Sequence, residues 1–301
     1  MLNVSCQFDS GAIEVVRIDG DQLDLAIRRD STTDPGCDFR QWFHFRVQGA
    51  AGRTLSLAFL NAGACTYAAG WHGYRLCVSY DHRHWFRIPT RFDGQVMRAE
   101  FACGHQSVYF AYFEPYDWER HLALLGRAQA APGATMIDLG RTPDGRDLNA
   151  VALGNPDGKP VWIIARQHPG ESMAEWFVEG LIDRLLDGAD SLARTLLAQA
   201  RFYLVPNMNP DGSVRGNLRA SATGANLNRE WMQPDPVRSP EVLAVRTKMA
   251  ETGCEFFLDV HGDEALPFVF IAGSEMLPSY SDKQARLQQR FAEVFKLAAP
   301  D

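Results

Sequence analysis

The pattern of apolar and polar positions along the chain changes near residue 125. Before that point, short apolar runs rich in aromatic residues alternate with turn signals such as Asp19-Gly20 and Asp93-Gly94. Short strands separated by such turns are typical of an antiparallel β-sandwich. The strands predicted in this half cover residues 13–18, 41–47, 54–60, 75–79 and 107–113.

Beyond residue 135 the pattern changes to alternating strands and helices. Residues 161–165 form a continuous apolar run, as expected for a strand that is buried on both faces. Residues 173–187 repeat apolar positions at helical spacing, and Ser172 with Glu175 matches a capping box at the start of that helix. The remaining elements predicted here are strands at 202–205, 256–260 and 268–271 and helices at 240–252 and 282–297.

These patterns predict an α/β protein with two domains. A β-sandwich occupies 1–120, a linker 121–135, and an α/β domain 136–301. Alternating strands and helices favour a mixed or parallel sheet that is covered by helices on both faces.

Composition and net charge indicate which kinds of partner the chain can bind. The chain has 301 residues, of which 46% are hydrophobic, so it can form a sizeable core. With 30 Lys and Arg against 37 Asp and Glu, its net charge of −7 disfavours nucleic acid and anionic membranes as partners. The sequence leaves the oligomeric state open.

The first residues lack the features of a signal peptide, and no apolar run is long enough to span a membrane. We therefore expect a cytoplasmic protein. The six cysteines are scattered without a Cys-x-x-Cys pair, which favours reduced thiols, with a disulfide framework as the alternative.

Polar clusters follow three of the predicted strands. They are His168-Pro-Gly-Glu171, Asn207-Met-Asn-Pro-Asp-Gly212 and His261-Gly-Asp-Glu264. In open α/β sheets, ligands bind beyond the carboxyl ends of the strands. The three clusters therefore predict one shared site.

Two histidines and one glutamate in these clusters have the chemistry of metal ligands. His168 and Glu171 form an HxxE pair, and such a pair taken alone is more often a surface turn than a metal site. His261 follows an apolar strand, where an imidazole without a partner would be costly. Two His and one Glu with an open fourth position make a catalytic zinc site, so we predict one Zn²⁺ per chain.

A second group of residues favours carboxylate binding. Arg219 and the pair Asn228-Arg229 lie in a segment that is richer in arginine than in acids, although the whole chain is acidic. The guanidinium fork of arginine matches a carboxylate, and asparagine adds a neutral donor. The alternative interpretation is a solvated loop with ordinary surface arginines.

Together these motifs resemble the zinc metallocarboxypeptidases of the carboxypeptidase A superfamily. The N-terminal half resembles the cytosolic carboxypeptidase subfamily, bacterial type, whose members place a β-sandwich before the peptidase domain. The motifs that carry the resemblance are His168-Pro-Gly-Glu171, Asn209-Pro-Asp-Gly212, Arg219, Asn228-Arg229, Asp259-Val-His261-Gly262, Gln41-Trp-Phe-His-Phe-Arg46, His84-Trp-Phe-Arg-Ile-Pro89, Val108-Tyr-Phe-Ala-Tyr-Phe-Glu-Pro115 and Trp118-Glu-Arg-His121.

The resemblance implies a role for each site residue. His168, Glu171 and His261 would bind the zinc ion. Asn228 and Arg229 would hold the terminal carboxylate of a peptide or protein substrate. Arg219 would be catalytic, since it would polarise the scissile carbonyl and stabilise the oxyanion, in agreement with the chemistry of a cation beside developing negative charge.

The chain departs from the family pattern at the general base. The family uses a glutamate on a strand well downstream of the third zinc ligand, and few residues follow His261 here. We assign that role to none of the acids after His261, which are Asp263, Glu264, Glu275, Asp282, Glu293 and Asp301. The expectation is a catalytic domain that is incomplete at its C-terminus, with the general base absent.

The expected function is zinc-dependent hydrolysis of C-terminal residues from peptides or proteins. Because eukaryotic members of the subfamily remove glutamates from protein tails, the resemblance suggests acidic C-termini as substrates. Two alternatives stay open: a non-catalytic module that binds C-terminal peptides, and a deacylase of N-acyl amino acids on the same fold. A second metal site in the N-terminal half is a further alternative, although its histidines are more simply surface or core residues. These histidines are His72, His82, His84 and His105.

Overall fold

The computed structural model describes residues 1–266 and 268–298, which fall into two compact units. The first unit ends at Ala265 and contains both the sandwich and the α/β sheet. The second unit begins at Leu266 and contains one helix, which is described below by itself.

The N-terminal domain is a sandwich of two five-stranded sheets. Its strands are β1 (Asn3–Ser5), β2 (Glu14–Asp19), β3 (Gln22–Ala26), β4 (His44–Gln48), β5 (Arg53–Phe59), β6 (Arg75–Ser79), β7 (Trp85–Pro89), β8 (Arg91–Phe92), β9 (Met97–Cys103) and β10 (Ser107–Ala111). One sheet has the order β1-β4-β10-β6-β7 and the other β2-β3-β5-β9-β8. Alternate side chains such as Phe45 and Val47 of β4 are fully buried, because every second residue of a strand faces the core.

The second domain is built on a mixed sheet. Its elements within the first unit are α1 (Trp118–Ala130), β11 (Thr135–Arg141), β12 (Asp147–Gly154), β13 (Lys159–Ala165), α2 (Ser172–Leu186), α3 (Ser191–Gln199), β14 (Ala200–Val205), α4 (Pro210–Arg215), α5 (Pro240–Thr252) and β15 (Phe256–Val260). The sheet order is β11-β12-β14-β13-β15. Strand β13 pairs in parallel with β14 and β15, whereas β12 is antiparallel to both β11 and β14. The predicted fold class is confirmed.

Several predicted elements differ from the observed ones. The segment 121–135, predicted as a linker, includes most of α1, whose residues Leu124 and Leu125 are buried in the core beside the mixed sheet. The predicted strand at 268–271 is wrong, because these described residues adopt no strand. Phe268 and Val269 are 60% and 70% exposed, unlike the buried side chains of a strand inside a sheet.

The second unit contains helix α6 (Asp282–Ala298). The Gln288 side chain on this helix accepts from the backbone of Ser274 at 2.9 Å and donates to the Glu275 carboxylate at 2.6 Å. Within the described residues, no helix is both long and apolar enough to cross a membrane.

Candidate active site

The candidate metal ligands follow the ends of two neighbouring parallel strands. Strand β13 is followed by a turn that carries His168 and Glu171, and α2 begins at the next residue. Strand β15 is followed directly by His261. Because β13 and β15 are parallel and paired, their carboxyl ends meet at one edge of the sheet. One ligand atom from each of the three residues lies within 4.8 Å of the others.

The two histidines present the same ring nitrogen to Glu171. His168 Nδ1 lies 2.7 Å from Glu171 Oε1, and His261 Nδ1 lies 2.7 Å from Glu171 Oε2. The outer nitrogens face acceptors: His168 Nε2 lies 3.1 Å from Asn226 Oδ1, and His261 Nε2 lies 2.8 Å from Asp259 Oδ2. With Nε2–H donating to these oxygens, an ion that displaces the protons from Nδ1 would meet both Nδ1 lone pairs. This donor set, two neutral imidazoles and a carboxylate, fits Zn²⁺.

The electrostatics of the cluster follow from burial and close pairing. Burial raises the pKa of Glu171, but hydrogen bonds from His168 and His261 outweigh it and bring the pKa to about 2. Burial lowers the pKa of His261, but its bonds to Asp259 and Glu171 outweigh this and raise the pKa to about 10. The carboxylate of Glu171 is therefore ionised, as a metal ligand must be.

Arg219 lies beside the candidate metal cluster. Its Nη1 atom is 3.9 Å from Glu171 Oε1, and its guanidinium lies over the Tyr67 ring at 5.6 Å from the centroid. Only 15% of its side chain is exposed. Glu264 is also near: burial and the negative charge of Glu171 raise its pKa to about 7, against the opposing effect of Arg219.

Asn228 and Arg229 lie on a 3₁₀ turn, Leu227–Arg229. Asn228 Nδ2 is 3.4 Å from His261 Nε2. Arg229 is exposed, and its Nη1 atom donates to the carbonyl of Asn228 at 3.0 Å. The sequence-predicted residues are thus assembled around one cluster, with Arg219 partly enclosed and Arg229 open to solvent.

The residues that support this cluster carry no motif that assigns them this role in the sequence. Gln167 Nε2 donates to Asp259 Oδ2 at 2.6 Å, and Trp231 Nε1 donates to Gln167 Oε1 at 2.8 Å. Asp259 could have been identified from its spacing, because residues i and i+2 of a strand share a face and His261 is two residues on. Gln167 could not, because its partner lies 92 positions away.

The four histidines considered for a second metal site do not converge. His84 binds the Asp81 carboxylate at 2.6 Å, and His82 lies 3.2 Å from His44, Nε2 to Nε2. His72 and His105 instead lie edge-on to the rings of Phe92 and Tyr80. In the described part of the chain, the group of His168, Glu171 and His261 is the one set of three or more ligands that could hold an ion.

A mixed α/β sheet with a His–Glu–His cluster beyond its parallel strands defines a metal-dependent hydrolase. The chain belongs to the zinc carboxypeptidase family, whose model matches residues 123–297. Residues 4–113 match the model of the cytosolic carboxypeptidase N-terminal domain.

Known proteins support this assignment. The crystal structure of a metallo-carboxypeptidase from Burkholderia cenocepacia is 52% identical, with a TM-score of 0.96 over 100% of this chain and 80% of that one. A Pseudomonas aeruginosa metallo-carboxypeptidase, solved in complex with (2-guanidinoethylmercapto)succinic acid, is 44% identical, with a TM-score of 0.92 over 97% of this chain and 78% of that one. Cytosolic carboxypeptidase 6 of Mus musculus is 27% identical over 89% of this chain and 54% of its own length.

These matches identify the chain as a metallocarboxypeptidase, an enzyme class whose substrates are peptides. They do not support the binding module or the N-acyl-amino-acid deacylase.

Proposed function

We propose that this enzyme removes C-terminal residues from peptides or proteins with one zinc ion held by His168, Glu171 and His261. The observation that carries the proposal is the convergence of both Nδ1 atoms on the two oxygens of Glu171 at 2.7 Å, with Arg219 beside the same carboxylate. When bound, zinc supplies a Lewis acid and lowers the pKa of a water to near 7.

The residues of the chain would bind and orient the substrate. Arg229 and Asn228 would hold the terminal carboxylate, since Arg229 is exposed to a ligand arriving from solvent and Asn228 lies beside His261. Arg219, which faces the cluster, would donate to the scissile carbonyl oxygen as negative charge develops there. Requiring a terminal carboxylate would restrict the enzyme to exopeptidase action.

Recognition of carboxylates is supported by a relative. The Pseudomonas aeruginosa enzyme binds a compound with a succinic acid part, which carries carboxylates. Acidic C-termini stay part of the proposal as the preferred substrate. The relation to cytosolic carboxypeptidases supports a cytoplasmic location.

The test is the release of amino acids from a library of peptides that differ in the C-terminal residue, with and without a chelator. We expect release to stop with the chelator, to return with zinc, and to fail for peptides with amidated C-termini. Faster release of Glu and Asp than of Leu and Lys would support the acidic preference, and the reverse order would exclude it. Chelator-insensitive release would overturn the zinc mechanism.

The carboxylate clamp is tested by Arg229→Ala. Loss of a hydrogen bond to a charged group costs about 1.5 to 3 kcal/mol, so kcat/KM should fall about 10- to 100-fold. Arg238→Ala is the matched control, because Arg238 is a nearby arginine whose side chain is 49% exposed and pairs with Glu230 at 3.5 Å. Equal effects of the two substitutions would contradict the clamp.

A further inference from the structure

The segment that carries Arg219 lies between the two domains of the first unit. Leu218 is 1% exposed, and its side chain belongs to the hydrophobic core of the N-terminal sandwich. On the other side, the carbonyl of Leu218 accepts from the N–H of Gly170 at 2.8 Å, in the turn between His168 and Glu171. The approach is close, since a Cβ on Gly170 would lie 2.9 Å from that carbonyl oxygen. The segment therefore contacts both the sandwich and the metal-binding turn.

One carboxylate of the sandwich fixes the backbone around Arg219. Asp30 Oδ1 accepts from the N–H of Leu218 at 2.7 Å, and Asp30 Oδ2 accepts from the N–H groups of Arg219 and Ala220 at 2.9 and 2.8 Å. Asp30 is 9% exposed, so these bonds are shielded from water. Hydrogen bonds from three consecutive amides to one carboxyl group restrain the backbone immediately before and after the Arg219 Cα.

The sandwich also contacts the Arg219 side chain. Tyr67, whose ring faces the guanidinium at 5.6 Å, lies between β5 and β6. Its backbone is held by the buried side chain of Gln41, which accepts from the Tyr67 N–H at 3.0 Å and donates to the Tyr67 carbonyl at 3.1 Å. Arg219 is thus enclosed by Tyr67 on one side and Glu171 on the other.

We propose that the N-terminal sandwich completes the catalytic site, with Asp30 as the positioning residue for Arg219. The inference rests on the proposed role of Arg219 in stabilising the oxyanion. A donor must lie within hydrogen-bond distance of the oxygen where charge develops, and a displacement of about 1 Å can cost about a hundredfold in rate. Asp30 and Tyr67 restrain Arg219 at its backbone and at its guanidinium.

The test is a double-mutant cycle of Asp30→Ala and Arg219→Ala, with kcat and KM measured for release of a C-terminal residue. Asp30→Ala should lower kcat about 10- to 100-fold, whereas KM and zinc content stay within about threefold, because Asn228, Arg229 and the zinc ligands are unchanged. In the Arg219→Ala background, Asp30→Ala should lower kcat less than about threefold.

Three outcomes would overturn the inference. Equal losses from Asp30→Ala in both backgrounds would assign Asp30 a merely structural role. A wild-type kcat for Asp30→Ala, with Arg219→Ala inactive, would leave the proposed function intact and exclude positioning by Asp30. A wild-type kcat for Arg219→Ala would exclude the proposed role of Arg219 and the inference with it.

Two further variants separate positioning from folding. Arg215→Ala removes donation to the carbonyl of Ser31 at 3.0 Å, across the same domain junction, so it should lower the melting temperature and leave kcat within about twofold. Asp30→Asn keeps the shape and one acceptor oxygen, so its kcat should lie between those of wild type and Asp30→Ala. If Asp30→Ala does not fold, Asp30→Asn replaces it in the cycle, and a wild-type kcat for Asp30→Asn then overturns the inference.

Discussion

At the scale of single residues, Glu241 is a carboxyl group in an unfavourable place. It is 1% exposed, and neither oxygen has a hydrogen-bond partner in another of the described residues. Burial, with smaller contributions from the negative charges of Asp211 and Asp144, raises its pKa from 4.5 to about 7. An ionised carboxylate without a partner is costly to bury, so Glu241 opposes folding once it loses its proton.

Glu241→Gln should therefore stabilise the protein in alkaline solution. Because its pKa is raised in the folded state, Glu241 contributes fully to the free energy of unfolding below pH 4.5, and this contribution is lost as the pH rises through 7. The variant should gain up to about 3 kcal/mol in free energy of unfolding at pH 8 and almost nothing at pH 4.5. Urea denaturation at both pH values measures the difference.

Glu119→Gln is the control for that experiment. Glu119 occupies the same position in the first turn of α1 as Glu241 in α5, but it is exposed. Its substitution should change stability by less than about 0.5 kcal/mol at either pH. A gain for Glu241→Gln that is the same at pH 4.5 and 8 would contradict the explanation by charge burial.

At the scale of elements, a buried ion pair connects α2 to the turn that carries the metal ligands. Arg166 is 1% exposed, and its Nη1 atom lies 2.7 Å from Glu175 Oε2. Arg166 Nε donates to the carbonyl of Pro169 at 3.0 Å, within the metal-binding turn. Glu175 also accepts from His121 Nδ1 at 2.6 Å and from Asn207 Nδ2 at 3.0 Å. The pair therefore holds the start of α2 against the end of β13.

This ion pair shows what local sequence reasoning could and could not predict. The helix starts at Ser172, as expected, but the predicted capping box is wrong. The Ser172 hydroxyl donates to the carbonyl of Glu114, and Glu175 is engaged by Arg166 instead. Apolar periodicity is a local signal, and it predicted the positions of α2, α5 and β13 closely. The partners of Ser172 and Glu175 are instead set by tertiary packing.

The same distinction applies to the site. The convergence of the candidate metal ligands could be predicted because each ligand follows a strand whose end lies at a shared edge. Arg219 follows helix α4, and its role was implied by the family resemblance. The bond from Asp30 to the Arg219 backbone could not be predicted, because 189 positions separate them and no motif connects them. The sequence therefore predicts the fold of the N-terminal domain but does not predict that this domain contacts the candidate active site.

Removing both partners of the buried pair should cost less than the two single removals added together. Glu175→Ala leaves the Arg166 charge buried without its carboxylate, so it should cost about 3 to 5 kcal/mol in free energy of unfolding. The double variant Arg166→Met/Glu175→Ala should cost less than the sum of the two single substitutions, as denaturant titration would reveal. Lys248→Ala, which breaks the exposed pair with Glu251, should cost less than about 1 kcal/mol. Additive losses at Arg166 and Glu175 would show that the two charges are not coupled.

At the scale of the whole molecule, the candidate metal joins parts of the chain that are distant in sequence. Glu171 and His261 are 90 positions apart, on turns that follow β13 and β15, so an ion held between them favours the folded state alone. A ligand at a hundred times its dissociation constant stabilises by about 2.7 kcal/mol, which in a protein of this size corresponds to about 4 °C in melting temperature.

Zinc added to the metal-stripped enzyme should therefore raise its melting temperature by several degrees, and the gain should grow with zinc concentration. His261→Ala should lose most of this gain, because it removes one of three ligands from the cluster. His72→Ala should keep it, since His72 packs against Phe92 and lies outside the cluster. Scanning calorimetry over a series of zinc concentrations makes the comparison. A full gain in His261→Ala, or its loss in His72→Ala, would place the stabilising ion elsewhere than at the carboxyl ends of β13 and β15.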